Sequence, residues 1–228
     1  MDSRSIILNK VKSALKDVDR SLLQKPIEPH VWSINNLSPQ EKAEAFKSNL
    51  ESVAGQTFIC NSIAQVADHI IKKFELDSRP IISIGCFDTP DCQLIAEELR
   101  KRDSRFQIIF QPEDRKVSPK DYETINASVI SPLLLLSDTG SCVVEGQTAF
   151  ERFMCYLSPK CLVVARYSQL REHLVDAWNE IESKMGNTNQ HGEIALITGP
   201  SRTADIEKKL VLGVHGPQEL IVYLINDL

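Results

Sequence analysis

Apolar residues recur every three or four positions near the start of the chain. Leu8, Val11, Leu15, Val18 and Leu22 fall on one face of a helix, which Pro26 and Pro29 end. Such a helix packs on its own domain or serves as a partner-binding arm. The stretch Lys25–Leu37 has turn residues without periodicity and reads as a surface linker. Ser38-Pro39-Gln40-Glu41 then supplies an N-cap, a proline at the first helical position and a glutamate three residues on. Ala43, Phe46, Leu50 and Val53 form the buried face of that helix, and Gly55 stops it. Beyond it, short β-rich runs alternate with helical ones. The pattern predicts strands at Thr57–Cys60, Ile81–Ile84, Phe106–Phe110, Ala127–Ile130, Ser141–Val144, Cys161–Ala165, Glu193–Thr198 and Leu220–Ile225. Helices are expected at Ile63–Phe74, Pro90–Arg102 and Gln169–Met185, the last burying Leu170, Leu174, Ala177, Trp178 and Ile181. Strands spaced by helices of this length pair in parallel, with helices on both faces. The organisation expected is one α/β domain over 56–228 behind an N-terminal helical extension over 1–55.

Composition narrows the function classes. Of 228 residues, 42% are hydrophobic and 25% charged, the balance of a folded globular chain. Net charge is 26 − 31 = −5 with Lys and Arg scattered, which argues against nucleic acid as a partner. No apolar run reaches the roughly 18 residues of a membrane span, and the first residues lack a signal-peptide core, so the expected place is the cytoplasm. The six cysteines, Cys60, Cys86, Cys92, Cys142, Cys155 and Cys161, form no C-x-x-C pair and no metal spacing. They read as reduced packing residues, and no bound metal or cofactor is expected on this chain.

Three segments carry candidate chemistry. In Ile194–Asp205 a strand runs into Gly199-Pro200-Ser201-Arg202-Thr203, with a short helix expected after Ser201 or Thr203. Gly199 permits close backbone approach, free N–H groups at a helix start favour an anion, and Arg202 offers a planar fork for carboxylate or phosphate. Ser201 and Thr203 add hydroxyls; the alternative is a capped turn in which Arg202 pairs with Asp205. Gly213-Val214-His215-Gly216-Pro217 precedes a strand and suits a tight exposed turn, where His215 acts as acid, base or anion donor, or simply completes the loop. Asp138-Thr139-Gly140 after an apolar run is no aspartic-protease half-site, because no second such motif exists and the surroundings are α/β. It reads as a turn presenting a carboxylate and hydroxyls at a sheet edge, or as a purely structural turn. Gly85-Cys86-Phe87-Asp88 also follows a strand, but is too glycine-poor for a dinucleotide fingerprint. His69 and His173 fall on expected helices and carry little functional weight.

The run ITGPSRTADIEKKLVLGVHGPQELIVYLI resembles the C-terminal signature of the lactate-utilisation (LUD) domain family, and similarity extends more loosely back to Gln56 through the Asp138 turn. The resemblance implies a three-layer, NagB/RpiA/CoA-transferase-like fold and a role in oxidising L-lactate to pyruvate beside two iron–sulfur partner proteins. It implies a site for a small anion: His215 and Asp138 in catalytic roles, with Gly199, Ser201, Arg202, Thr203, Asp205, Thr139, Gly140, Gly213 and Gly216 around the ligand. Two departures accompany it. Asp138 stands where the family usually has Glu, shortening the reach by about 1.5 Å. Ser131–Leu136 replaces a run usually rich in glycine and alanine. The fold group also hosts acyl- and phosphoryl-handling enzymes, for which Asp138 or Cys86 would be the nucleophile.

Overall fold

The computed structural model describes residues 3–14, 16, 36–111, 122–185, 192–204, 210–212 and 216–228. They fall into two compact units, 1–35 and 36–228. In the first, α1 (Ser3–Ala14) buries none of its residues, and Ile6, Ile7, Leu8 and Val11 lie open. The remainder of the apolar stripe expected to Leu22 lies outside the described residues.

The second unit opens with α2 (Pro39–Ser52). Its start is the capping box read from the sequence: the Ser38 side chain accepts from the Glu41 N–H, and the Glu41 carboxylate accepts from the Ser38 N–H. Ala43, Phe46 and Leu50 are buried as the periodicity requires. At its end the left-handed residue is Ala54, with φ +67°, rather than Gly55. Gly55 is needed for space, because a Cβ there would sit 2.5 Å from the Leu50 side chain.

The order then runs β1 (Gln56–Cys60), α3 (Ile63–Lys73), β2 (Ile82–Cys86), α4 (Pro90–Arg102), β3 (Phe106–Ile109), β4 (Ala127–Ile130), β5 (Leu134–Leu136) and β6 (Ser141–Gly146). It continues with α5 (Ala149–Tyr156), β7 (Lys160–Arg166), β8 (Leu170–Arg171), α6 (Leu174–Met185), β9 (Glu193–Ile197), β10 (Arg202–Ala204), β11 (Leu210–Leu212) and β12 (Glu219–Ile225). Six strands form one sheet in the order β1-β12-β7-β4-β2-β3, every pair parallel. Right-handed crossovers fix the layers. α3 and α4 both carry the chain toward β3, so they share one face; the connections from β4 to β7 and β7 to β12 run the other way and cover the opposite face. Among the described residues no helix is long and apolar enough to cross a membrane.

A second sheet, β8-β5-β6-β9, is mixed, with β6 antiparallel to both β5 and β9. Its strands β5 and β6 are buried on both sides: Leu135, Cys142 and Val144 join the main core, while Leu134, Leu136 and Val143 pack on Ala177 and Ile181 of α6. Here three expectations need correction. The helix expected from Gln169 begins at Leu174, because Leu170 and Arg171 pair with Leu135 and Leu136 of β5. Trp178 points out, 47% exposed and bonded to Glu182. His173 precedes α6 instead of lying on it. The six cysteines are free and buried.

Candidate functional site

Two turns that the sequence singled out converge on the last turns of α2. In the first, Ser137–Gly140 joins β5 to β6. Gly140 has φ +66°, and a Cβ on it would meet the backbone of Asn49 and Leu50, 2.4 Å from the Leu50 nitrogen. The Asn49 amide donates to the Ser137 carbonyl at 2.7 Å. In the second turn, Gly199 has φ +89°, and its Cβ would lie 2.8 Å from the Val53 carbonyl oxygen. Both positions are left-handed and pressed on backbone, which only glycine tolerates. Hydroxyls close the gap between the turns: Ser141 Oγ donates to Thr139 Oγ1 at 2.8 Å and shares a 2.6 Å hydrogen bond with Thr198 Oγ1.

The Asp138 carboxylate is fixed from the other side. Its Oδ2 lies 3.0 Å from Nδ1 of His173, and its N–H donates to the Glu172 carbonyl at 3.2 Å. Asp138 Oδ1 and Ser137 Oγ are buried without a hydrogen-bond partner, leaving two polar atoms whose burial is uncompensated. His173 is the neighbour that sequence reasoning missed. It lies 35 positions along the chain from Asp138, so no local pattern could pair them.

Around Thr198–Pro217 the fold overturns the local reading and keeps part of the grouping. β9 is the edge strand of the mixed sheet, so Gly199–Thr203 does not sit at the carboxyl end of a parallel strand. Among the described residues no helix begins after Ser201 or Thr203; Arg202–Ala204 is β10, antiparallel to β11. A strand leaves no row of free N–H groups, and the Ser201 N–H donates to the Pro217 carbonyl at 2.8 Å. That bond brings the two segments together: a Cβ on Gly216 would come within 2.9 Å of Ser201 Cβ. The contact lies at the amino ends of β7 and β12, where Gln218 N–H donates to Pro159 O at 2.8 Å. Arg202 is exposed and makes no ion pair among the described residues. Thr203 lies in β10, whereas Asp205, Gly213 and His215 lie outside the described residues.

The carboxyl ends of the parallel strands hold a different feature. Strand order reverses between β2 and β4, the place where open α/β sheets bind ligands. A cavity of about 260 Å³ lies beside it, lined by Cys86, Asp88, Gln111, Phe150 and Glu151. Cys86 is a poor nucleophile: its hydrogen bond with Cys92 and its burial push the thiol far up. Burial likewise raises Cys60 to about 11 and Cys161 to about 12.

Comparison with known proteins agrees with this architecture. A DUF162 family protein from Deinococcus radiodurans superposes with TM-score 0.57 at 13% identity, over 83% of this chain and 99% of that one, a likeness of fold. The uncharacterized protein YkgG of Escherichia coli K12 is 26% identical over the full length of both chains. Lactate utilization protein C of Bacillus pumilus is 31% identical over 101 residues and that of Bacillus subtilis 28% over 109. This chain spans 42% and 45% of those two relatives. The family model of the LUD domain matches residues 43–225, and the chain therefore belongs to the LUD domain family.

Proposed function

We propose that this chain is the anion-binding subunit of an L-lactate utilisation system, acting with iron–sulfur proteins that carry the redox centres. The observation behind the reading is membership of the LUD domain family, with relatives named Lactate utilization protein C. In this reading Arg202 neutralises a small carboxylate or phosphate group, with Gly199, Ser201, Thr203, Asp205, Gly213 and Gly216 around it. His215 supplies a hydrogen bond or a proton, and Asp138, held by His173, orients the site with Thr139 and Gly140. Calorimetry with L-lactate, pyruvate and inorganic phosphate tests it. Losing one charge-assisted contact is expected to weaken binding by Arg202→Ala about tenfold or more. Equal affinity for wild type and variant removes Arg202 from the site.

A second reading, a non-catalytic assembly subunit, is favoured by the open apolar residues of α1. The nucleophilic-enzyme reading loses Cys86 as its thiolate, because the buried thiol holds its proton at neutral pH.

A further inference from the structure

A cleft opens beside α3 at the β1 edge of the parallel sheet. Among the described residues β1 pairs only with β12, which makes it an edge strand of the sheet. The floor of the cleft is aromatic. Phe58 and Tyr223 stand opposite each other in register, rings nearly parallel at 23° with centroids 5.9 Å apart. His69 from α3 meets both edge-on, at 5.0 Å from Phe58 and 6.1 Å from Tyr223. Tyr223 is 1% exposed whereas Phe58 is 38% exposed, so one ring forms the base and the other offers surface to a ligand. The cleft measures about 340 Å³, and Gln56, Ile221, Lys72 and Lys73 complete it.

The charge around it runs against that of the whole chain. Lys73 and Lys160 both bind the single carboxylate of Glu219. Lys72 enters no ion pair among the described residues, and nearby Asp68 is taken by Arg102. Three ammonium groups against one carboxylate leave an excess of two positive charges, on a chain whose net charge is −5. An excess this local draws anions to this place. A purely apolar ligand would desolvate Lys72 without return, and a bare inorganic anion would leave the Phe58 surface unused. A ring that carries a negative group satisfies both.

We propose that this cleft binds a planar aromatic anion, its ring laid against Phe58 and its negative group held by Lys72 and Lys73. The inference is independent of the lactate reading. Two sources share the chemistry, a nucleoside monophosphate and an aromatic carboxylate, and they are separated by titrating the full chain with AMP and with 1-naphthoate. Adenosine and inorganic phosphate serve as the uncharged and ring-free controls.

Saturable binding of AMP or of 1-naphthoate is expected, with both controls at least tenfold weaker. Removing the stacking surface by Phe58→Ala is expected to weaken binding about tenfold. Reversing the exposed charge by Lys72→Glu is expected to weaken it about fivefold, and raising salt from about 0.05 to 0.5 M to weaken it further. Lys72 is exposed, so that variant reports even where Phe58→Ala disturbs folding. Absence of saturation by either compound up to roughly 5 mM overturns the proposal. So does an affinity unchanged by Lys72→Glu, or a saturable mass increase to a dimer that excludes both compounds.

Discussion

Single glycines decide how the candidate site is held. Gly140 and Gly199 share a left-handed backbone and lie against α2, one over Leu50 and one over Val53. A side chain at Gly140 meets a backbone nitrogen, and backbone cannot swing away as a flexible side chain can. Gly140→Ala is therefore expected to cost at least about 2 kcal/mol, from the left-handed penalty plus the clash. Urea unfolding checks it: the midpoint falls, with the slope unchanged if the denatured state is unaffected. A loss smaller than about 0.5 kcal/mol would mean that the turn relaxes away from α2. The sequence marked Asp138-Thr139-Gly140 as a turn, because Gly and Asp favour reversals locally. It could not supply His173, whose approach to Asp138 depends on β8 pairing with β5.

Among the elements, the strands of the parallel sheet were legible even where buried on both faces, whereas the short β5 was not. α2 is written in its capping box and apolar spacing, and β4 runs over Ala127–Ile130 as the sequence predicts, although all four residues are buried. β5 (Leu134–Leu136) is apolar throughout because α6 covers one side and the main core the other, so no alternation announces it. β10 was missed for another reason: Ser201-Arg202-Thr203-Ala204 suits a helix start by local propensity, and pairing with β11 overrides it. Ion pairs join elements as well. Burial works to raise the Glu219 carboxyl, but hydrogen bonds from Lys160 and Lys73 outweigh it and hold the group below the usual carboxylate range. A lowered folded value means stability that is present above the ordinary carboxylate value and lost as pH falls toward the lowered one. Glu219→Gln is thus expected to be less stable than wild type near pH 7, with the gap closing below about pH 5. Chemical denaturation at a series of pH values measures it, and a gap constant down to about pH 3 would exclude the mechanism.

For the whole molecule, the two compact units set the remaining test. The sheets and their helices lie within 36–228, and α1 buries nothing of its own. Deleting residues 1–25 is expected to leave the unfolding transition of the larger unit within about 0.5 kcal/mol of wild type. If α1 is the docking arm, the same deletion abolishes co-purification with iron–sulfur proteins; unchanged capture excludes that role. The sequence by itself determined the fold class, the α2 cap, most parallel strands and the resemblance carried by Thr198–Pro217, because periodicity, capping and turn chemistry act over a few residues. Tertiary structure alone decided where Thr198–Ala204 and Gly216-Pro217 lie. β9 joins the edge of a mixed sheet instead of the parallel one, which moves Ser201 and Gly216 to the amino ends of β7 and β12. It also decided that Asp138 meets His173, and that Lys73 of α3 and Lys160 of β7 share Glu219 beside an aromatic floor. Strand partners are chosen by burial summed over distant segments, and no short window of sequence contains that sum.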